Sequence, residues 1–117
     1  MQMIDHEKFR QYTRYFDKEF VTELIDVFTR EYPARFELLN KNIEELDFPA
    51  LCEHAHSLKG AVANFMAPAP LALAKKLEEM AKAGESNGLR ELFSDLVTDT
   101  EELILELQEI KSQYRFR

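Results

Sequence analysis

From Leu89 to Tyr114 one row of mostly apolar side chains recurs at every third or fourth position, through Leu92, Phe93, Leu96, Thr100, Leu103, Leu107 and Ile110. That spacing keeps one face of an α-helix oily for about 26 residues, a rod of roughly 39 Å. So long a helix is possible because chain breakers are scarce: Gly 3 and Pro 4 in 117 residues, about half of average usage. A sheet protein would need more turn chemistry than that. The length is near the modal size of one globular domain, and two domains would each be too small, so residues 1–117 are expected to form one helical domain. One core of this size leaves no volume for a large enclosed substrate cavity.

Dividing the chain at its few breakers predicts the other helices. Phe9, Tyr12 and Phe16 share a face over roughly Ile4 to Phe16, and Asp17 is a suitable N-cap for the next segment. From Asp17 to about Leu46 the stripe Phe20, Leu24, Val27, Phe28, Phe36, Leu39 and Ile43 is interrupted only by Pro33, which should kink or split it. Asp47-Phe48-Pro49 reads as a capped start with proline in the first turn, opening a helix to about Phe65. Met66 to Pro70 break the pattern. A further helix from about Pro70 carries Leu73, Leu77, Met80 and Ala81 and ends near Gly84, with Ser86-Asn87-Gly88 as a turn. Connections this short make neighbours antiparallel, so the expected architecture is all-α, an antiparallel up-and-down four-helix bundle with a short additional N-terminal helix. The last residues, Tyr114 to Arg117, are expected to fray.

Charge narrows the partners. A net charge of −7 repels phosphate backbones and anionic lipid heads, so neither nucleic acid nor a membrane surface is expected. The single cysteine, Cys52, excludes an intrachain disulfide and a thiolate zinc cluster. No apolar run approaches a membrane span, and the N-terminus lacks the layout of a secretion signal, which predicts a cytoplasmic protein.

The third segment departs from the bland pattern. On a helical wheel Leu51, Ala55, Leu58, Val62, Phe65 and Met66 cluster within about 60° of one direction, and His56 lies about 130° from it. Its wheel neighbours Cys52, Gly60 and Ala63 are small, so the imidazole is approachable. Gly60 costs the helix roughly 1 kcal/mol against alanine, and clearance beyond His56 is the natural return for it. Lys59 has no acid three or four positions away to pair with, and an unpaired ammonium beside an open histidine suggests a place for negative charge such as phosphoryl. Each residue alone is ordinary surface. Together they make a pattern.

Ala55-His56-Ser57-Leu58-Lys59-Gly60, then Asn64-Phe65, with Leu77-Glu78 on the following helix, resembles the histidine-containing phosphotransfer (HPt) domain of multistep phosphorelays. The resemblance implies a four-helix bundle with the active histidine exposed on the second bundle helix. His56 then matches the phosphoryl-accepting histidine, Lys59 the lysine near the phosphate and Gly60 the glycine that clears room for the incoming receiver domain. Glu78 resembles a polar position facing that surface from the next helix. Where the family usually has a glycine ten residues after the histidine, this chain has Met66, and Ala61 stands where serine is common.

The resemblance implies a phosphocarrier that takes a phosphoryl group on His56 from a receiver phospho-aspartate and passes it to a response-regulator aspartate. A neutral imidazole nitrogen is the nucleophile, and no buried base is needed. The receiver's acidic pocket and its Mg²⁺ supply most of the charge neutralisation, and the chain is expected to need no cofactor of its own. With no Gly-rich phosphate loop in the sequence, autokinase activity is not expected. A hybrid-kinase receiver is implied upstream and a response regulator downstream; a free-standing monomer is expected. Two rivals remain at this stage: a receiver-docking module without phosphotransfer, and a metal-binding bundle using Cys52, His56 and Glu53.

Overall fold

A computed structural model describes residues 2–115 of the chain. It is all-α, with five α-helices and no strand among the described residues: α1 (His6–Thr13), α2 (Lys18–Glu45), α3 (Phe48–Val62), α4 (Pro68–Ala83) and α5 (Leu89–Arg115), with a 3₁₀ turn (Ala63–Phe65) extending α3. The starts are where short acidic side chains can serve bare backbone N–H groups. Asp5 Oδ1 accepts from Lys8 N–H at 3.1 Å, Asp17 from Phe20 N–H at 2.7 Å, and Asp47 from Ala50 N–H at 3.2 Å.

Helices α2 and α4 each pack against both α3 and α5, which closes the bundle around one core. That core is aliphatic at its centre, with Ile25, Leu39, Leu58, Leu77, Leu96 and Leu103 essentially inaccessible. At about 1.5–3 kcal/mol per fully buried side chain, these six together contribute roughly 9–18 kcal/mol toward the larger ordering cost of the helices. Aromatic rings fill the wider gaps, Phe28 against Phe65 at 5.1 Å and Phe36 against Phe93 at 5.8 Å.

Four features narrow or change the sequence expectation. α2 runs unbroken through Pro33, whose exposed position opens the missing hydrogen bond toward solvent instead of stranding it in the core. α4 begins at Pro68, so Pro68 and Pro70 both sit in the first turn, where proline's missing donor has no partner to lose. α1 is shorter than predicted, because residues 2–4 form a strap, with Met3 and Ile4 buried. The inward face of α2 opens on Val21 and Ile25; Phe20 is 47% exposed and stacks on Phe16 at 5.0 Å, which meets Tyr12 at 5.3 Å. These aromatics satisfy one another outside the core. Of the residues expected to fray, Tyr114 packs on the core within α5, while Phe116 and Arg117 lie outside the described residues. No described helix is long and apolar enough to cross a membrane.

Candidate functional site

The site is made by α3 and α4, whose contact is the most extensive in the bundle. Leu51, Ala55, Leu58 and Val62 lock one face of α3 inward, which turns His56 outward as the wheel requires; its side chain is 68% exposed. Four residues that accompany it in the motif are core: Ala55, Leu58, Phe65 and Leu77 are all buried. His54, on the boundary of the same helix, is half-buried and donates from Nδ1 to Asn42 Oδ1 at 2.7 Å. It takes no part in the site.

Opposite His56 stands Glu78, a carboxylate that α4 holds only 6% exposed between Leu77 and Ala81. His56 Nδ1 lies 2.9 Å from Glu78 Oε2, and Lys59 Nζ 2.7 Å from Oε1. Lys82, one turn further along α4, approaches Oε2 at 3.5 Å. The Lys59 ammonium is the largest influence on Glu78. It outweighs the opposing effect of burial and, with the His56 hydrogen bond, holds the carboxyl down at about 2. An ionised carboxylate only accepts hydrogen bonds, so His56 Nδ1 carries the hydrogen and donates it to Glu78. The lone pair of the neutral ring is thereby placed on Nε2.

This corrects one expectation. Lys59 is not unpaired, because its acid comes from the neighbouring helix, nineteen positions along the chain. Glu78 is the hub that ties His56, Lys59 and Lys82 together, a role that no spacing within α3 could reveal. The Glu78–Lys82 pair is an i,i+4 pair visible in the sequence, but its relation to His56 depends on the register of α4 against α3.

Gly60 is exposed, and a Cβ placed there would meet nothing within 4 Å. No contact inside the molecule requires glycine, so the clearance faces outward. On the α2 side, Arg35 Nη1 donates to the exposed Ser57 hydroxyl at 2.8 Å, adding a guanidinium next to the histidine turn. Cys52 is a half-buried free thiol, and among the described residues no group of three or more His, Cys, Asp or Glu side chains is placed to hold a metal ion. The metal reading on Cys52, His56 and Glu53 therefore has no cluster to rest on.

The arrangement suits surface chemistry in which an oriented imidazole nitrogen reacts with a group brought by another body, beside two ammonium groups. Comparison with known proteins points the same way. The crystal structure of histidine-containing phosphotransfer protein B (HptB) from Pseudomonas aeruginosa PAO1 superposes with a TM-score of 0.87 over 96% of each chain at 23% identity, a likeness of fold. No curated protein matches the sequence. A family model described as the Hpt domain matches residues 23–113, which takes in every helix of the bundle except the short α1 and the first turn of α2. The chain thus belongs to the Hpt domain family, the histidine phosphotransfer domains of phosphorelays.

Proposed function

We propose that His56 is the phosphoryl-carrying residue of this domain, that its donor is the phospho-aspartate of a receiver domain, and that a response-regulator aspartate takes the group onward. The whole chain would act as one domain, with its four long helices running antiparallel and α3 and α4 presenting the site. The observation that carries the proposal is the exposed His56 ring fixed by a buried, ionised Glu78. As the lone pair on Nε2 attacks phosphorus, the P–N bond forms and the P–O bond to the aspartyl carboxylate breaks, the carboxylate leaving with its electron pair. No proton has to move: Nδ1 keeps its hydrogen, the ring becomes a phosphoimidazolium, and Glu78 faces the new positive charge. Return of the group to a second aspartate reverses these steps.

The catalytic demand on this chain is small because phosphoryl transfer depends mainly on positioning and charge neutralisation. Mg²⁺ and the acidic pocket belong to the receiver, and Gly60 leaves the space into which that pocket comes. The test is to incubate the chain with a phosphorylated receiver and follow acid-labile, alkali-stable label. Wild type should take the label and His56→Gln should not. Label retained by His56→Gln would reject the assignment, whereas a wild type that binds receivers and takes no label from any would identify a docking module.

A further inference from the structure

The two lysines at the site are held very differently. Lys59 Nζ sits 2.7 Å from Glu78 Oε1 with its side chain 31% exposed, and Lys82 Nζ stands 3.5 Å from Oε2 with its side chain 64% exposed. The oxygen that Lys82 approaches is the one that accepts the His56 hydrogen bond. Withdrawing Lys59 would leave a buried carboxylate without its closest counter-charge, a large penalty, while an exposed, loosely held ammonium leaves its partner at almost no cost.

We infer that Lys82 is the cation that closes on the phosphoryl group of His56, and that Lys59 is a positioning residue that anchors Glu78. The inference rests on the phosphotransfer proposal above and deepens it. Charge balance supports the division. Before transfer Glu78 and Lys59 neutralise each other, Arg35 is balanced by Glu31 at 3.3 Å, and Lys82 leaves the site one positive charge in excess. A dianionic phosphoryl on a cationic ring adds one net negative charge, and Lys82 is the cation at hand to balance it. Its place in the last turn of α4, on a four-carbon stem, lets the ammonium swing from Oε2 to a phosphoryl oxygen without moving the helix.

Phosphoramidate, which phosphorylates exposed histidines without a receiver, provides a readout that is independent of docking. In the full chain, phosphorylation by phosphoramidate should shift the side-chain NMR resonances of Lys82 and leave those of Lys59 in place. With a phosphorylated receiver as donor, Lys82→Met should slow transfer by about tenfold, the loss of one charge-assisted hydrogen bond, with an unchanged melting temperature. Lys82→Arg should restore most of that rate, and Lys59→Met should lower the melting temperature. Resonances of Lys59 that move while those of Lys82 stay, or a Lys82→Met variant that transfers at the wild-type rate, would overturn the inference. Failure of the underlying proposal looks different: wild type then takes label from phosphoramidate but from no receiver. A chain labelled by neither donor would reject both.

Discussion

Glu78 is the residue on which the site turns, since one buried side chain sets the hydrogen on His56, neutralises Lys59 and keeps Lys82 within reach. Its carboxyl is held at about 2 against an ordinary value of 4.5, with the Lys59 ammonium the main cause. A depression of that size corresponds to a stabilisation on the order of 3 kcal/mol, fully present above the unfolded-state value and lost as pH falls toward 2. Glu78→Gln keeps the volume and removes the charge. Urea unfolding should therefore find the variant less stable than wild type by about 1–3 kcal/mol at pH 7, with the two converging as pH falls from 5 to about 2. Stability curves that stay parallel over that range would show that the carboxylate charge contributes nothing to the fold.

At the scale of elements, the links between helices hold the strain. Leu46 ends α2 at φ 52° and Met66 ends the 3₁₀ turn at φ 53°, both in the left-handed region that favours glycine. Met66 occupies the place where the family resemblance led one to expect glycine, and the backbone there keeps glycine's conformation. What holds it is the Asp5 N–H donating to its carbonyl at 2.8 Å and a side chain packed on the core. The Leu46 carbonyl likewise accepts from Phe48 N–H at 3.1 Å, but its side chain is 52% exposed and brings no core packing in return. Leu46→Gly should then raise stability by roughly 0.5–1 kcal/mol in urea unfolding, while Met66→Gly, which gives up partly buried methylenes worth at most ~0.8 kcal/mol each, should gain nothing or lose. A destabilised Leu46→Gly would mean that its side chain packs better than its exposure indicates.

The same elements mark what the sequence could disclose. The starts of α2 and α3 are legible because Asp17 and Asp47 act within their own turn, and the outward face of His56 follows from the apolar repeat of α3 alone. The inward face of the first turns of α2 was not, because Phe16 and Tyr12, outside that helix, decide where Phe20 goes. Pro33 leaves kink and split equally open in the sequence, because only its exposed place in the packed bundle lets one helix continue through it. The partner of Lys59 was hidden for a similar reason: i,i+4 rules see one helix, and Glu78 is brought in by the packing of another.

At the scale of the molecule, the rod is 47 Å long and 23 Å across. Two helices side by side, each about 10 Å wide, already span that section, so a deep cavity has no place in it. The proposed transfer therefore belongs on the surface, where the exposed His56 and the open space at Gly60 lie on one helix. The family match begins inside α2, which leaves α1 and the N-terminal strap outside it. Glu106 on α5 clasps that strap: its carboxylate accepts from the backbone N–H groups of Met3 and Ile4, the latter at 3.1 Å, and lies 3.4 Å from His6 Nε2. Removing the acceptor from a part-buried pair of donors costs about 1–3 kcal/mol. The clasp joins one end of the chain to α5 and is not a brace between bundle helices, so that cost should appear as local opening. In Glu106→Ala, amides of residues 3–13 should exchange with solvent roughly 10- to 100-fold faster, while those of Leu96 and Leu103 in α5 keep their wild-type protection and phosphoryl transfer to His56 is unchanged. Equal loss of protection in α5 would show that the strap is part of the bundle's cooperative unit.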